Sequence, residues 1–253
     1  MKIAIGGFDG VHFAHQKLLQ LADEVLIIEK KSTLTPYKTK CDYIHKKCHF
    51  YKLDEIKNLS YLEFINILKT KFNPKEIIVG YDFKFGKNKQ GSPKELQKFF
   101  NVKIIEEIKI DNIGVHSRII RDFIKQGNIK KATKFLNHTY KIKASQIKGQ
   151  GLGEKLLPTI NLSPIFDYTI PKNGVYLTLL NNVPSITFIG VRSTDNNFSI
   201  ETHCLDNFQH NQIYELEFID FLRETKKFNN LNELKQAIIT DKKEAIKYFE
   251  EKK

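Results

Sequence analysis

Up to about residue 136, short solid apolar runs alternate with stretches whose apolar positions return every third or fourth residue. Ile3-Ala4-Ile5 reads as a short buried strand, and Lys17-Leu18-Leu19-Gln20-Leu21-Ala22 after it has helical spacing. The same reading gives strands at 24–28 and 76–81, an extended run at 102–110, and helices at 61–72, 94–100 and 118–126. Strands alternating with helices predict βαβ units, a parallel sheet and ligands at the carboxyl ends of its strands. From residue 139 the texture changes. Extended runs at 140–147, 174–180, 186–191, 198–205 and 213–218 are separated by glycine, proline and asparagine, the pattern of a small antiparallel barrel. A last helix from about residue 231 carries Leu234, Ile238, Ala245, Ile246 and Phe249 on one face, with Asn230 as its N-cap. The expected fold is therefore α/β plus β, with domains at 1–137 and 138–253.

Composition changes this picture little. The 253 residues suffice for two cores. No apolar run approaches membrane-spanning length and no signal-peptide pattern appears, so the expected setting is cytoplasmic. Three cysteines, Cys41, Cys48 and Cys204, make no disulfide framework. The net charge of +12 raises the question of nucleic acid, but the lysines are interspersed with Glu and Asp and no arginine-rich or aromatic-interleaved tract occurs. The charge fits anionic small molecules better. Four of the 41 basic residues are arginines: Arg118, Arg121, Arg192 and Arg223. Against a lysine background they mark places that need a planar, bidentate donor.

Candidate chemistry begins between the first strand and helix, in Gly6-Gly7-Phe8-Asp9-Gly10-Val11-His12-Phe13-Ala14-His15-Gln16. A glycine turn into a helix places free N–H groups and the positive helix end at one point, where anions bind. His12 and His15 lie three apart and share a face. Val79-Gly80-Tyr81-Asp82-Phe83-Lys84-Phe85-Gly86 ends a strand and enters a loop running to Gly91. Val115-His116-Ser117-Arg118-Ile119-Ile120-Arg121 starts a helix that Ser117 is expected to cap, with Arg118 and Arg121 suited to phosphate.

In the second half, Gly149, Gly151, Gly153 and Lys155 lead into Leu157-Pro158-Thr159-Ile160-Asn161. The glycines allow close approach to phosphates. Thr159 and Asn161, two apart in extended chain, present a hydroxyl and an amide oxygen on one face, ready to ligate Mg²⁺. Glu201 and His203 share a face of the strand Phe198-Ser199-Ile200-Glu201-Thr202-His203-Cys204. Cys41, His45, Cys48 and His49 invite a zinc reading, but Lys46 and Lys47 sit among them. A solvated basic helix or loop is the expectation there.

The first of these segments resembles the HxGH signature of nucleotidyltransferases, in the GNFDGVHxGHQ form of bacterial FAD synthetases. Residues 79–91 are similar to that family's VGxDFxFGxxxxG, and residues 116–121 to its SSTxIR. Residues 149–162 resemble the flavokinase GxxxGxxxGxPTxN, Pro171-Lys172-Asn173-Gly174-Val175-Tyr176 its PxxGVY, residues 189–194 a GxRPT-like turn, residues 201–206 ExHLLDF, and residues 221–228 FLRxExKF. The resemblance spans nearly the whole chain in family order. It implies a Rossmann-like nucleotidyltransferase domain followed by a riboflavin kinase-like barrel, with riboflavin, FMN, FAD and ATP as small-molecule partners, Mg²⁺ as cofactor, and a monomer. It further implies Glu201, His12 and His15 in catalysis. Gly6, Phe8, Asp9, Gly10, Ser117, Arg118, Arg121, Gly149, Gly151, Gly153 and Lys155 would lie at phosphates, and Asp82, Phe83, Phe85, Tyr176 and Arg223 in flavin or nucleotide pockets. Thr159 and Asn161 take the metal positions.

The chain departs from the family at Gly7, Ala14, His116, Arg118 and Leu157, and Glu29-Lys30-Lys31 stands where FxPHP is usual. A single-activity enzyme with one silent half, or a basic nucleic-acid-binding protein, are the alternative readings.

Overall fold

The computed structural model describes residues 1–147, 158–191, 198–209 and 211–252. The chain forms two compact units, Met1–Ile119 with Phe135–Asn137, and Ile120–Lys134 with His138–Lys253.

In the first unit, β1 (Lys2–Gly6), α1 (Phe13–Leu21), β2 (Glu24–Glu29), β3 (Lys47–Lys52), α2 (Leu53–Ile56), α3 (Tyr61–Ile67), β4 (Glu76–Gly80), α4 (Pro93–Gln97) and β5 (Val102–Ile105) follow in order. The five strands are all parallel, in the order β3-β2-β1-β4-β5. Both faces of this sheet are covered. Ile3, Ile5, Leu26, Ile77 and Val79 pack with Phe64 and Leu68 on one side, while Ala4, Val25, Ile27 and Ile78 pack with Leu18 and Leu19 on the other. That two-sided burial is why these strands read as solid apolar runs. The strand order reverses between β1 and β4, so the carboxyl end of β1 lies at the crevice where such sheets bind ligands. A short hairpin, β6 (Lys109–Ile110) with β7 (Ile113–Gly114), follows.

α5 (Ser117–Lys125) and α6 (Ile129–Leu136) come next, and most of both belongs to the second unit. Lys130 of α6 pairs with Asp220 at 2.5 Å. The barrel comprises β8 (Tyr140–Ile147), β9 (Ile160–Pro164), β10 (Gly174–Leu180), β11 (Val183–Val191), β12 (Phe198–Cys204) and β13 (Ile213–Arg223), closed in the order β10-β11-β12-β9-β8-β13. Tyr140, Ile142, Ile160, Leu162, Tyr176, Tyr214 and Phe218 alternate along their strands and are buried. α7 (Leu231–Glu250), capped by Asn230 as expected, lays Ala245, Tyr248 and Phe249 against Val175, Leu177 and Ile186.

Three expectations need correction. The Cys41–His49 stretch is neither helix nor loop throughout: Cys41 sits in a 3₁₀ turn (Tyr37–Asp42), while Cys48 and His49 lie on the edge strand β3. His49 is paired with Glu24, and burial and the neighbouring Cys41 thiol push the Cys48 thiol up to about 12, away from the thiolate that a metal needs. The extended run 102–110 breaks after Ile105, so β5 and β6 belong to different sheets. Ser117 is the first residue of α5, and its hydroxyl donates to the Asp9 carbonyl at 2.8 Å instead of capping its own helix.

Arg223 tests what holds α7 down. Its Nε and Nη2 donate to the two Asp241 carboxylate oxygens, each at 2.6 Å, and Asp241 is buried. Arg223→Met leaves that carboxylate without its partner, so the barrel unit should lose about 3 kcal/mol of stability. Urea unfolding followed by circular dichroism checks this, and a change below ~0.5 kcal/mol, the scale of an ordinary surface substitution, would remove the pair from the account of α7 docking.

Candidate active site

The first unit gathers chemistry where β1 ends. Residues 7–12 leave the strand through two positive-φ residues, Phe8 (φ 50) and Val11 (φ 39), with Gly10 at φ +85 between them. A Cβ at Gly10 would lie 2.8 Å from Leu34 Cδ1, and its left-handed φ of +85 is what favours glycine there. What holds this unusual backbone is Asp9. Its buried carboxylate accepts the N–H groups of Leu34 (2.9 Å) and Thr35 (3.0 Å), with Thr33 at 3.4 Å. Thr35 Oγ1 accepts the Gly10 N–H at 2.7 Å. Asp9 therefore positions the loop through its backbone contacts.

The segment that grips Asp9 is fastened in turn by Lys40, which is wholly buried. Its ammonium donates to Glu29 Oε2 at 2.6 Å and to the Thr35 carbonyl at 2.8 Å. Nothing in the local pattern marks this lysine. Its partner arrives from the end of β2, eleven residues earlier in the chain.

His12 is the N-cap of α1, and its Nδ1 accepts the His15 N–H at 3.3 Å. The two rings stack, centroids 3.5 Å apart, and Phe8 packs edge-on to His15 at 5.2 Å. His15 Nδ1 is buried without a hydrogen-bond partner. Burial first, then the charges of His12, Lys30, Lys40 and His116, holds the His15 imidazole well below its ordinary 6.5. His15 is thus a neutral imidazole at the start of α1, with Lys30 and Lys40 among its neighbours.

Elsewhere in this unit the expected residues part company. Asp82 is exposed and Phe83 half-buried. Phe85 is packed into the core with Phe64 and bridges to Gly91 through both backbone hydrogen bonds. Arg118 is exposed, and Arg121, half-buried, falls in the share of α5 that belongs to the second unit.

In the barrel, the register places Glu201 of β12 directly opposite Asn161 of β9. Facing residues on adjacent strands have Cβ atoms about 5 Å apart. The expected base and an expected metal ligand are therefore neighbours, although forty residues separate them. Ser199 donates to Glu201 Oε1 at 3.0 Å from the same face. Two residues on, His203 Nδ1 lies 2.9 Å from the Pro158 carbonyl, which only accepts, so Nδ1 carries the proton. That bond ties the chain just before Thr159 to β12. His203 Nε2 is buried without a partner, and burial lowers the His203 pKa, with the Pro158 bond opposing and Lys242 adding to the shift. Tyr176 lies inside the barrel, its hydroxyl on the Lys172 carbonyl at 2.6 Å. Gly149, Gly151, Gly153, Lys155 and the turn beginning at Arg192 lie outside the described residues.

Comparison with known proteins follows this division. A family model described as riboflavin kinase matches residues 136–249, and one described as FAD synthetase matches residues 24–121. The bifunctional riboflavin kinase/FMN adenylyltransferase of Buchnera aphidicola subsp. Schizaphis graminum is 31% identical over 299 residues, covering 98% of this chain and 93% of its own. Its counterpart in Bacillus subtilis is 27% identical over 290 residues, covering 98% and 92%. A crystal structure described as a macrolide-efflux protein from Streptococcus pneumoniae superposes with a TM-score of 0.84 at 22% identity, covering 96% of this chain and 92% of that one, and shows the shared fold. No helix among the described residues is long and apolar enough to cross a membrane.

The two lowered histidines carry a pH prediction. In the unfolded chain both protonate near 6.5, while the folded chain resists, so below about 6.5 the unfolded state binds more protons. Stability should be full above that pH and fall as the solution is acidified. Thermal melts at pH 7.5 and 5.5 should show a smaller acid loss in His203→Gln than in the parent. Equal losses would mean that His203 does not resist protonation.

Proposed function

The chain belongs to the bifunctional riboflavin kinase/FMN adenylyltransferase family, and from that membership we propose how its two units divide the work. The two reactions are ATP-dependent phosphorylation of riboflavin to FMN, and transfer of the adenylyl group of ATP to FMN, giving FAD and pyrophosphate. The barrel performs the first and the parallel-sheet unit the second, with the functional boundary near residues 137 and 138.

The observation that carries the kinase half is the pairing of Glu201 with Asn161. Glu201 accepts the proton of the riboflavin 5′-hydroxyl as its oxygen bonds to the γ-phosphorus and the bond to the ADP oxygen breaks. The Thr159 hydroxyl and Asn161 amide oxygen, beside a carboxylate, are hard oxygen donors of the kind Mg²⁺ takes. They would hold the ion that accompanies ATP and neutralises its phosphates. His203 fixes Pro158 and so the approach of Thr159. Gly149, Gly151, Gly153 and Lys155 complete the phosphate side, and Tyr176 and Arg223 support the flavin side from the barrel wall and the α7 anchor.

Adenylyl transfer makes a different demand. The FMN phosphate oxygen is itself the nucleophile, so no protein base is needed. The unit must instead orient two anions and stabilise charge on the departing pyrophosphate. The loop held by Asp9, the α1 start and the stacked His12 and His15 do this. Ser117 and Arg118 serve the phosphates, and Asp82, Phe83 and Phe85 shape the nucleotide pocket. The partners are small molecules, and the reading places the enzyme in the cytoplasm as a monomer.

Two experiments test the division. Glu201→Ala should slow FMN formation about 10²- to 10⁴-fold, the usual cost of losing a general base. FAD formation from supplied FMN should be unchanged, and a kinase rate near the parent's would sink the role of Glu201. Second, because Ile120–Lys134 packs with the barrel, a fragment from Ser117 onward should be more stable than one from His138 onward, and both should phosphorylate riboflavin. A folded but inert Ser117 fragment would overturn the assignment of the kinase to the barrel.

A further inference from the structure

We propose that Lys30 is a substrate-contacting residue of the adenylyl-transfer site, its ammonium hydrogen-bonding a phosphate held at the α1 start. The proposal rests on the assignment of that reaction to the parallel-sheet unit. Lys30 directly follows β2, and Gly7 directly follows β1; the two strands are paired in parallel through Gly6 and Ile27. Lys30 thus emerges at the carboxyl edge of the sheet, beside the strand next to which the order reverses.

Its side chain lies over the glycine turn. A Cβ at Gly7 would come 3.3 Å from Lys30 Cε and 3.8 Å from Nζ. The lysine stem therefore lies in close contact with the bare backbone of Gly7. The backbone of Lys30 is not loose either. Ser32 Oγ donates to its carbonyl at 3.1 Å, Glu29 before it is clasped by Lys40, and residues 33–35 after it hold Asp9.

Charge accounting singles the residue out. The groups whose positive charge, when protonated, bears on His15 are His12, Lys30, Lys40 and His116. Lys40 is buried against Glu29, and His116 lies 3.4 Å from Glu107. His12 and His15 are stacked ring on ring, and a second proton on that pair is opposed by the first. Lys30 is exposed and makes no ion pair among the described residues. It is therefore the permanent cation of this corner whose charge no carboxylate engages. In the reaction, the FMN phosphate oxygen bonds to the α-phosphorus, the bond to the β-phosphate oxygen breaks, and the electron pair leaves with pyrophosphate. No proton moves, and a fixed cation at the phosphates stabilises the developing charge.

Lys30→Met and Lys30→Arg decide the matter. A charge-assisted bond lost from a phosphate should lower kcat/KM for FAD formation about 10- to 100-fold in Lys30→Met, with much of it restored in Lys30→Arg. Riboflavin phosphorylation by the same preparation should stay at the parent rate, and a thermal melt of the whole chain that matches the parent's excludes misfolding of the parallel-sheet unit. A rise in KM for ATP and weaker binding of magnesium pyrophosphate by calorimetry would place the contact on the leaving group. A rise in KM for FMN alone would place it on the nucleophile. Lys30→Met within twofold of the parent in both KM values and in pyrophosphate affinity overturns the proposal. Should the parent itself make no FAD from FMN, the assignment of this unit fails instead, and pyrophosphate affinity still decides whether Lys30 touches a phosphate.

Discussion

A buried carboxylate holding backbone N–H groups organises the first unit. Asp9 cannot reach water, and its charge is tolerated because Leu34 and Thr35 donate to one of its oxygens. In satisfying Asp9, the segment after β2 is drawn across the turn after β1, and the two loops become one body. Lys40 closes the arrangement from beneath, its own buried charge balanced by Glu29. Ser117 adds a third element by donating to the Asp9 carbonyl. The unusual φ angles of Phe8 and Val11 persist because these contacts over-determine them. His12 and His15 inherit their geometry from that frame.

The barrel solves a different problem, that of register. A slip of one residue between β9 and β12 would turn Asn161 and Glu201 to opposite faces. Closure fixes the register from both sides, since every strand has two neighbours. A chain of buried hydroxyls reinforces it: Thr178 bonds Ser185 at 2.7 Å and Thr187 at 2.8 Å, and Thr187 bonds Thr202 at 2.9 Å. These groups satisfy one another only in this alignment, and any other leaves a buried hydroxyl unpaired. Thr202 is adjacent to Glu201, so the polar interior of the barrel helps to set the residue on its outer face.

What could be read from the sequence was what local periodicity encodes. β8 and β10 coincide with the runs at 140–147 and 174–180, and Asn230 caps α7, because alternation and capping are properties of neighbouring residues. β3 escaped because it is a half-buried edge strand with lysine at both ends and no alternation. α6 buries Ile129, Ala132, Phe135 and Leu136 at helical spacing, but Gly127-Asn128 before it reads as punctuation. Lys40 stands among exposed lysines in sequence and is distinguished only by a partner from another strand. Phe85 and Tyr176 sit in matched motifs, and the structure places both in cores, where an aromatic ring braces a loop or fills a barrel. Motif order indicated the chemistry, while the long-range contacts decide which residue of a motif faces substrate.

The distribution of charge between the two units agrees with the division proposed for them. Phosphorylating an alcohol needs an acceptor for a proton, so the barrel face needs a carboxylate with oxygen donors beside it, and Glu201 with Asn161 and Ser199 provides one. Adenylylating a phosphate needs no acceptor. Around the α1 start Asp9 and Glu29 are each bound to partners within the protein, and His12, His15 and Lys30 stand beside them. The same nucleotide would thus be used twice by surfaces of opposite design, because in one reaction the nucleophile must lose a proton and in the other it arrives already charged.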